Sequence, residues 1–165
     1  MNQRFLASLL TTGAIVWTAA LLLTPFALVS THPRVVSSAV FVYEAAGRIC
    51  HQRSERSFHL AGVQLPVCAR CTGLYVSGAA GALVAWLGWR RRPAFPRHTR
   101  AVLIAAALPT ALTFGLEWLG LAHPSSTLRA ICAVPLGLSA GWVFVRSLRA
   151  EAWAESGKMM RYDSL

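Results

Sequence analysis

The feature that most constrains this chain is a series of long apolar blocks that carry almost no charge. The block from Phe5 to Val29 contains no charged residue, and the later blocks contain one or two each. A helix needs about 20 apolar residues to cross about 30 Å of hydrocarbon. We therefore predict an all-α fold, a four-transmembrane-helix bundle with spans at about 5–30, 67–89, 101–122 and 128–148.

The composition agrees with a membrane protein of one domain. Hydrophobic residues make up 55% of the 165 residues and charged residues only 13%, whereas a soluble domain carries about 25% charged residues. The first block also begins like a signal peptide, but its apolar core exceeds the roughly 7–15 residues of such peptides. We expect it to be retained, so that 1–165 forms a single integral membrane domain.

The positively charged residues predict the orientation, because cytoplasmic loops carry an excess of Lys and Arg. Five arginines lie between the second and third blocks, and Arg146, Arg149, Lys158 and Arg161 lie at the end of the fourth block or after it. We therefore expect a multi-pass protein of the plasma (inner) membrane, with both termini and the 150–165 tail cytoplasmic. Topology and contact with anionic lipid account for the net charge of +10. The lipid bilayer is the expected partner, a larger membrane protein complex is a further candidate, and no nucleic-acid motif is present.

The segment 31–66 is the expected extracytoplasmic loop. Val36, Val40, Tyr43 and Gly47 recur at helical spacing and predict an amphipathic helix that is too short to span the membrane. We expect it to lie in the outer interface, followed by a polar, turn-like segment and a short connector.

Cysteine and histidine are concentrated between Cys50 and Gly73. This 24-residue stretch holds three of the four cysteines and two of the five histidines. Cys68 and Cys71 form a Cys-x-x-Cys pair that can reach one ion, and Cys50 precedes Cys68 by a gap usual for the two halves of a zinc site. The candidate metal ligands are Cys50, His51, Cys68 and Cys71.

Several features of this site stay open. Adjacent residues such as Cys50 and His51 rarely bind the same ion, so we expect one of the two to bind and the other to support it. The fourth ligand could be His51, His59, His123, Glu117 or water. Thiolate and imidazole ligands suit zinc best, while copper(I) and an Fe–S cluster fit less well.

Two readings compete with a metal site. A Cys-x-x-Cys pair at a helix start, with Arg70 between the cysteines, favours a lowered thiol pKa and redox chemistry. A four-helix membrane protein with that motif resembles quinone-linked disulfide-forming oxidoreductases in topology, although the second cysteine pair of those enzymes has no clear equivalent here. Structural disulfides or packed free thiols are the other reading.

An acidic residue within a span predicts a functional role or a paired charge. Glu117 is such a residue, and Arg70 and Arg129 are its expected partners in an ion pair. It could instead act as a ligand, base or proton carrier. Glu55 and Glu117 are the catalytic candidates, and the residues expected to support the site are Arg56, Arg70, Glu117 and Arg129.

Small residues recur every four positions in the second and fourth predicted spans. They are Gly73, Ser77, Gly81 and Ala85 in one, and Ala133, Gly137 and Gly141 in the other. Such spacing lets membrane helices approach closely, so we predict that these two helices pack in parallel.

Two motifs carry a family resemblance: Cys50-His51-Gln52 followed by Glu55-Arg56-Ser57-Phe58, and Pro66-Val67-Cys68-Ala69-Arg70-Cys71-Thr72-Gly73. The chain resembles a family of small prokaryotic integral membrane proteins of unknown function, the domain of unknown function numbered twenty eighty-five. Pro109, Glu117 and Arg129 fill later positions of the family pattern, while Ser54 and Cys132-Ala133 depart from it. The resemblance implies that the two motifs act together and implies no activity.

Three classes of function follow from these observations. The metal could hold the outer loop in an accessory or assembly subunit. An open coordination position would make the protein a membrane metalloenzyme with a metal-bound water, and a redox-active Cys68–Cys71 pair would make it a thiol oxidoreductase. Whether the protein is an enzyme is left undecided by the sequence.

Overall fold

The computed structural model describes residues 3–87 and 99–162, with side chains up to residue 150. The described chain is mostly helical. Its helices are α1 (Gln3–Leu28), α2 (Pro33–Gly47), α3 (Ala69–Leu87), α4 (Thr99–Trp118) and α5 (Ser126–Tyr162), and a 3-10 turn (Ser54–Arg56), β1 (Ser57–Leu60) and β2 (Val63–Cys68) lie between α2 and α3. Four of the arginines used to predict the orientation, at positions 90, 91, 92 and 97, lie outside the described residues.

Three described helices are long and apolar enough to cross a membrane, Gln3–Leu28, Thr99–Trp118 and Ser126–Ala150. In α4 no residue is buried within the protein, and its large apolar side chains, such as Ile104 and Leu112, are exposed. An uncovered apolar surface of this kind is what a bilayer accepts. The 19-residue α3 is not among the three candidate spans.

The small residues of α3 and α5 meet along the whole seam between the two helices. A Cβ built on Gly73 would lie 2.3 Å from the carbonyl oxygen of Ala130, and one on Gly81 would lie 2.1 Å from that of Leu138. Because the early residues of one helix meet the early residues of the other, the two helices run parallel. The predicted close packing of these helices is confirmed.

The ends of α4 and α5 differ from the sequence prediction. The N–H groups of Gly120 and Leu121 donate to the carbonyls of Glu117 (3.1 Å) and Leu116 (2.9 Å), and Gly120 has φ +70°. This Schellman motif ends α4 at Trp118 rather than near residue 122, which places Glu117 in the last helical turn. In contrast, α5 continues to Tyr162, whereas we expected the helix to end near 148 before a polar tail.

The outer loop contains more structure than its sequence predicted. Residues expected to form a turn and a connector form an antiparallel hairpin, in which Leu60 pairs with Val63 and Ser57 with Cys68. Its two-residue turn consists of Ala61 (φ 51°) and Gly62 (φ 77°), the positive values that a tight hairpin turn requires. Val67 and Cys68 therefore belong to β2, and the helix that we predicted from residue 67 begins at Ala69.

The predicted amphipathic helix is present as α2, but its buried side is rotated. Ala39 and Ala46 are buried, whereas Val40 is 47% exposed. The helix packs against α1 and β2, and Pro33 occupies its first position, where its missing N–H is harmless.

Candidate metal centre

Three segments converge to bring Cys50, Cys68 and Cys71 together. Cys50 follows the end of α2, where its N–H donates to the carbonyl of Ala46 (2.9 Å). Cys68 is the last residue of β2, and Cys71 lies in the first turn of α3. Their sulfur atoms all lie within 4.8 Å of one another. The hairpin makes this possible because it returns the chain to the end of α2.

The donor set suits a soft metal ion. In a tetrahedral site with Zn–S bonds of about 2.3 Å, neighbouring sulfurs are about 3.8 Å apart, so small side-chain movements would complete the geometry. The backbone N–H of Cys68 donates to the Cys50 sulfur at 3.2 Å. A hydrogen bond from Cys71 lowers the pKa of the Cys68 thiol to about 5, and the thiolate is the form that binds metals.

The other predicted ligands do not join the sulfur group. The close set of ligand atoms among the described residues contains the three sulfurs and leaves out His51 and Cys132. His51 is exposed, and its Nδ1 lies 3.7 Å from the Cys50 sulfur. His59 instead pairs with the hydroxyl of Ser54 at 3.2 Å, and His123 and Glu55 are exposed.

Two glutamines connect the loop that carries Cys50 to the hairpin. The Gln52 amide donates to the carbonyls of Tyr43 (2.8 Å) and Pro66 (2.9 Å). The Gln64 amide donates to the carbonyl of Gln52 at 2.6 Å, and the Tyr43 hydroxyl donates to the carbonyl of Gln64. No sequence pattern predicted a role for these two glutamines, and only the position of Gln52 inside the Cys-His motif could have indicated one.

Glu117 accepts contacts from three arginines beside the sulfur triad. Arg129 approaches one carboxylate oxygen at 2.9 Å and Arg56 the same oxygen at 3.1 Å, while Arg70 approaches the other at 3.3 Å. The Glu117 side chain is only 5% exposed. The structure thus brings together the four residues that we expected to support the site.

The charges in this cluster do not balance. Arg70 and Arg129 lie in the first turns of α3 and α5, the helix ends at which the dipole disfavours positive side chains. The Nε atoms of both arginines are buried and lack a hydrogen-bond partner among the described residues. A buried donor without an acceptor costs about 1–3 kcal/mol, so this cluster is under-supplied with anions.

A cavity of about 300 Å³ opens beside the cluster, lined by His51, Arg53, Arg56, Phe114, Glu117 and Trp118. The Arg70 guanidinium lies over the Phe114 ring, 5.3 Å from its centroid. His51 therefore lies between the triad and the cavity, because it contacts Cys50 and also forms part of the cavity wall.

Comparison with known proteins connects this site to a family. The model of the family described as "Predicted membrane protein (DUF2085)" matches residues 50–143, more than half of the chain. The chain belongs to this family. The resemblance inferred from the two motifs is therefore confirmed at the level of the family.

Two uncharacterized relatives of the chain come from archaea. A protein of Methanothermobacter thermautotrophicus is 32% identical over 94 residues, which cover 54% of this chain and 78% of the relative. A protein of Methanocaldococcus jannaschii is 30% identical over 101 residues, which cover 61% of this chain and 64% of the relative. No solved structure matches the chain.

The family match spans both parts of the site. Residues 50–143 include the three sulfurs, the hairpin, Glu117 and its arginines, but neither α1 nor α2. The site is thus contained in the segment that defines the family.

Proposed function

We propose that the protein is a membrane metalloprotein in which Cys50, Cys68 and Cys71 bind one zinc ion at the extracytoplasmic face. The observation that carries this proposal is the mutual approach of the three sulfurs to within 4.8 Å. Three thiolates from three segments form most of a tetrahedral zinc site, and His51 is the nearest candidate for the fourth position. Bound zinc would fasten the loop after α2 to the start of α3.

An accessory or assembly role fits the site better than catalysis. Glu117, the carboxylate that lines the adjoining cavity, is engaged by three guanidinium groups, which leaves little capacity for accepting a proton. Glu55, the other catalytic candidate, is exposed and is not among the residues that line the cavity. A zinc ion with four protein ligands would stabilise a surface that another membrane protein recognises.

In the proposed topology α3 is a span in addition to the three candidate spans, which makes four in all. Both termini lie in the cytoplasm. With 19 residues, α3 is about 28 Å long at 1.5 Å per residue, close to the thickness of the hydrocarbon core. It also runs parallel to the apolar part of α5. Fusions of a fluorescent protein and of alkaline phosphatase to the C-terminus test this topology, since a cytoplasmic C-terminus gives fluorescence without phosphatase activity.

The metal assignment is tested by elemental analysis of the purified protein. We expect about one zinc per chain, and loss of that zinc in Cys50→Ser, Cys68→Ser and Cys71→Ser, because each removes one thiolate ligand. Cys132→Ser is the matched control, since Cys132 lies outside the sulfur group, and it should keep the zinc. Equal metal content in all four variants would refute the assignment.

A thiol oxidoreductase is the second candidate, and one observation favours it. The pKa of the Cys68 thiol is lowered to about 5 by its hydrogen bond with Cys71, a property of nucleophilic cysteines in redox pairs. Alkylation after denaturation separates the two functions. A redox protein would yield a Cys68–Cys71 disulfide and no zinc, whereas a zinc protein would yield alkylated thiols.

A further inference from the structure

We propose that the cavity beside the sulfur triad binds a phosphate group, carried either by a lipid headgroup or by a soluble molecule. The cavity has a volume of about 300 Å³ and contains none of the three sulfurs in its lining. His51 is shared by this wall and the proposed zinc site, so the cavity is tested with variants that keep His51 and the three sulfurs.

The first argument is the excess of positive charge. Arg56, Arg70 and Arg129 share the single carboxylate of Glu117. Arg53 adds a further guanidinium to the cavity wall, and it forms no salt bridge with any residue that the structure describes. A carboxylate can balance one of these charges, so a bound anion would stabilise the cluster.

The second argument is the charge behind Glu117. Arg70 and Arg129 do not line the cavity, and their Nε atoms are buried without acceptors in the described part of the chain. Both guanidinium groups contact the Glu117 carboxylate, which does line it. Their positive charges offset the negative charge that this carboxylate would otherwise direct at a bound anion.

Phosphate matches this arrangement better than a carboxylate does. A terminal phosphate carries up to two negative charges and several acceptor oxygens, and guanidinium groups bind such oxygens in pairs. The imidazole of His51, also in the wall, offers one more polar contact. The cavity volume is about ten times the roughly 30 Å³ that a water molecule occupies in the liquid, so it has room for the group.

The aromatic part of the wall explains why a lipid is one of the two sources. Phe114 and Trp118 line the cavity and are 56% and 79% exposed. They belong to the end of α4, a candidate span, and tryptophan at such an end commonly lies at the level of the lipid headgroups. A phosphate attached to acyl chains could enter between these rings while its chains remain in the bilayer.

The experiment is calorimetric titration of the purified full-length protein in detergent with two probes. The probes are inorganic phosphate and dihexanoyl phosphatidic acid. Dihexanoyl glycerol, which carries the same acyl chains without a phosphate, is the control. Arg53→Gln is the test variant, because Arg53 lies in the wall without being part of the Glu117 contacts. Arg34→Gln removes an exposed arginine of α2 and is the matched control.

We expect phosphatidic acid to bind and Arg53→Gln to weaken binding about tenfold, the effect of losing one charge-assisted hydrogen bond. Arg34→Gln should bind like the original protein. Equal binding of inorganic phosphate would identify a soluble phosphate as sufficient, and binding of phosphatidic acid alone would identify a lipid headgroup. The proposal is overturned if neither probe binds at millimolar concentration, if dihexanoyl glycerol binds as well as phosphatidic acid, or if Arg53→Gln leaves the affinity unchanged.

Zinc content is measured on the same samples. Protein that holds zinc but binds no phosphate probe overturns the cavity proposal alone. Protein that binds phosphate without zinc overturns the metal assignment alone.

Discussion

Buried arginines lie at both ends of the α3–α5 pair, and their partners differ. The near end is the one beside the sulfur triad, where both helices begin, and the far end is where α3 ends. At the far end, Arg149 donates to the carbonyl of Ala85 at 2.6 Å, and its guanidinium lies 4.6 Å from the centroid of the Trp86 ring. At the near end, Arg70 and Arg129 share one carboxylate with Arg56. At the far end the guanidinium is hydrogen-bonded to the helix itself, because a helix C-terminus offers carbonyls and the negative end of its dipole.

This difference separates an arginine that completes a helix end from arginines that belong to the cluster around Glu117, beside the cavity. Arg149 completes the end of α3 and has no need of a ligand. Arg70 and Arg129 lie at helix starts, where the dipole opposes them, and their Nε donors lack partners among the described residues. We therefore expect changes at the far end to alter stability alone, and changes at the near end to alter stability and binding together.

The largest effect is expected from Glu117→Gln. The substitution leaves three guanidinium groups around a neutral amide, and breaking a buried ion pair costs about 3–5 kcal/mol. Thermal unfolding in detergent measures the loss. Glu44→Gln, an exposed position on α2, is the control and should change stability by less than about 0.5 kcal/mol. Similar losses in both variants would show that the arginine cluster does not depend on its carboxylate.

The seam that holds the two ends in register is tested by Gly81→Ala. The added Cβ would lie 2.1 Å from the Leu138 carbonyl oxygen, so α3 and α5 must separate at a cost of about 3 kcal/mol. Gly13→Ala is the matched helical control, since no atom lies within 4 Å of its Cβ position, and it should gain up to about 1 kcal/mol. Unchanged melting of Gly81→Ala would contradict the close contact.

At the far end, Arg149→Gln should lower the free energy of unfolding by about 2 kcal/mol, because it removes a charge-assisted hydrogen bond to a backbone carbonyl. Arg100→Gln, at an exposed position of α4, should have little effect. Zinc content and phosphate affinity should stay unchanged in both. A fall in phosphate affinity on removal of Arg149 would break the distinction between the two ends.

The smallest effect is expected at the hairpin turn that shapes the near end. Ala61 has φ 51°, a conformation that costs a residue with a Cβ about 1 kcal/mol, so Ala61→Gly should raise stability by about that amount. Gly62→Ala, at φ 77°, should lower it by a similar amount. The free energy of unfolding of both variants, measured at constant zinc content, checks this prediction. Changes of the same sign in the two variants would contradict the turn conformation.

Several contacts at the near end could be predicted from the sequence. The motif spacing indicated that Cys50, Cys68 and Cys71 could meet, and Arg70 and Arg129 were the expected partners of Glu117. The assignment of zinc and its ligands stays a prediction. The contact of Arg56 with Glu117 had no local signal, because it depends on a hairpin whose strands are short and whose turn begins with alanine.

The sequence by itself determined the membrane class, the family and the small-residue seam, because apolar length and four-residue spacing act locally along one helix. The tertiary structure decided which side of α2 is buried and that the cavity is cationic. These features depend on groups far apart in sequence, such as Arg53 and Glu117, whose proximity arises only when the hairpin and helices pack. The excess of charge at one end is likewise visible only after the partners of each arginine are known.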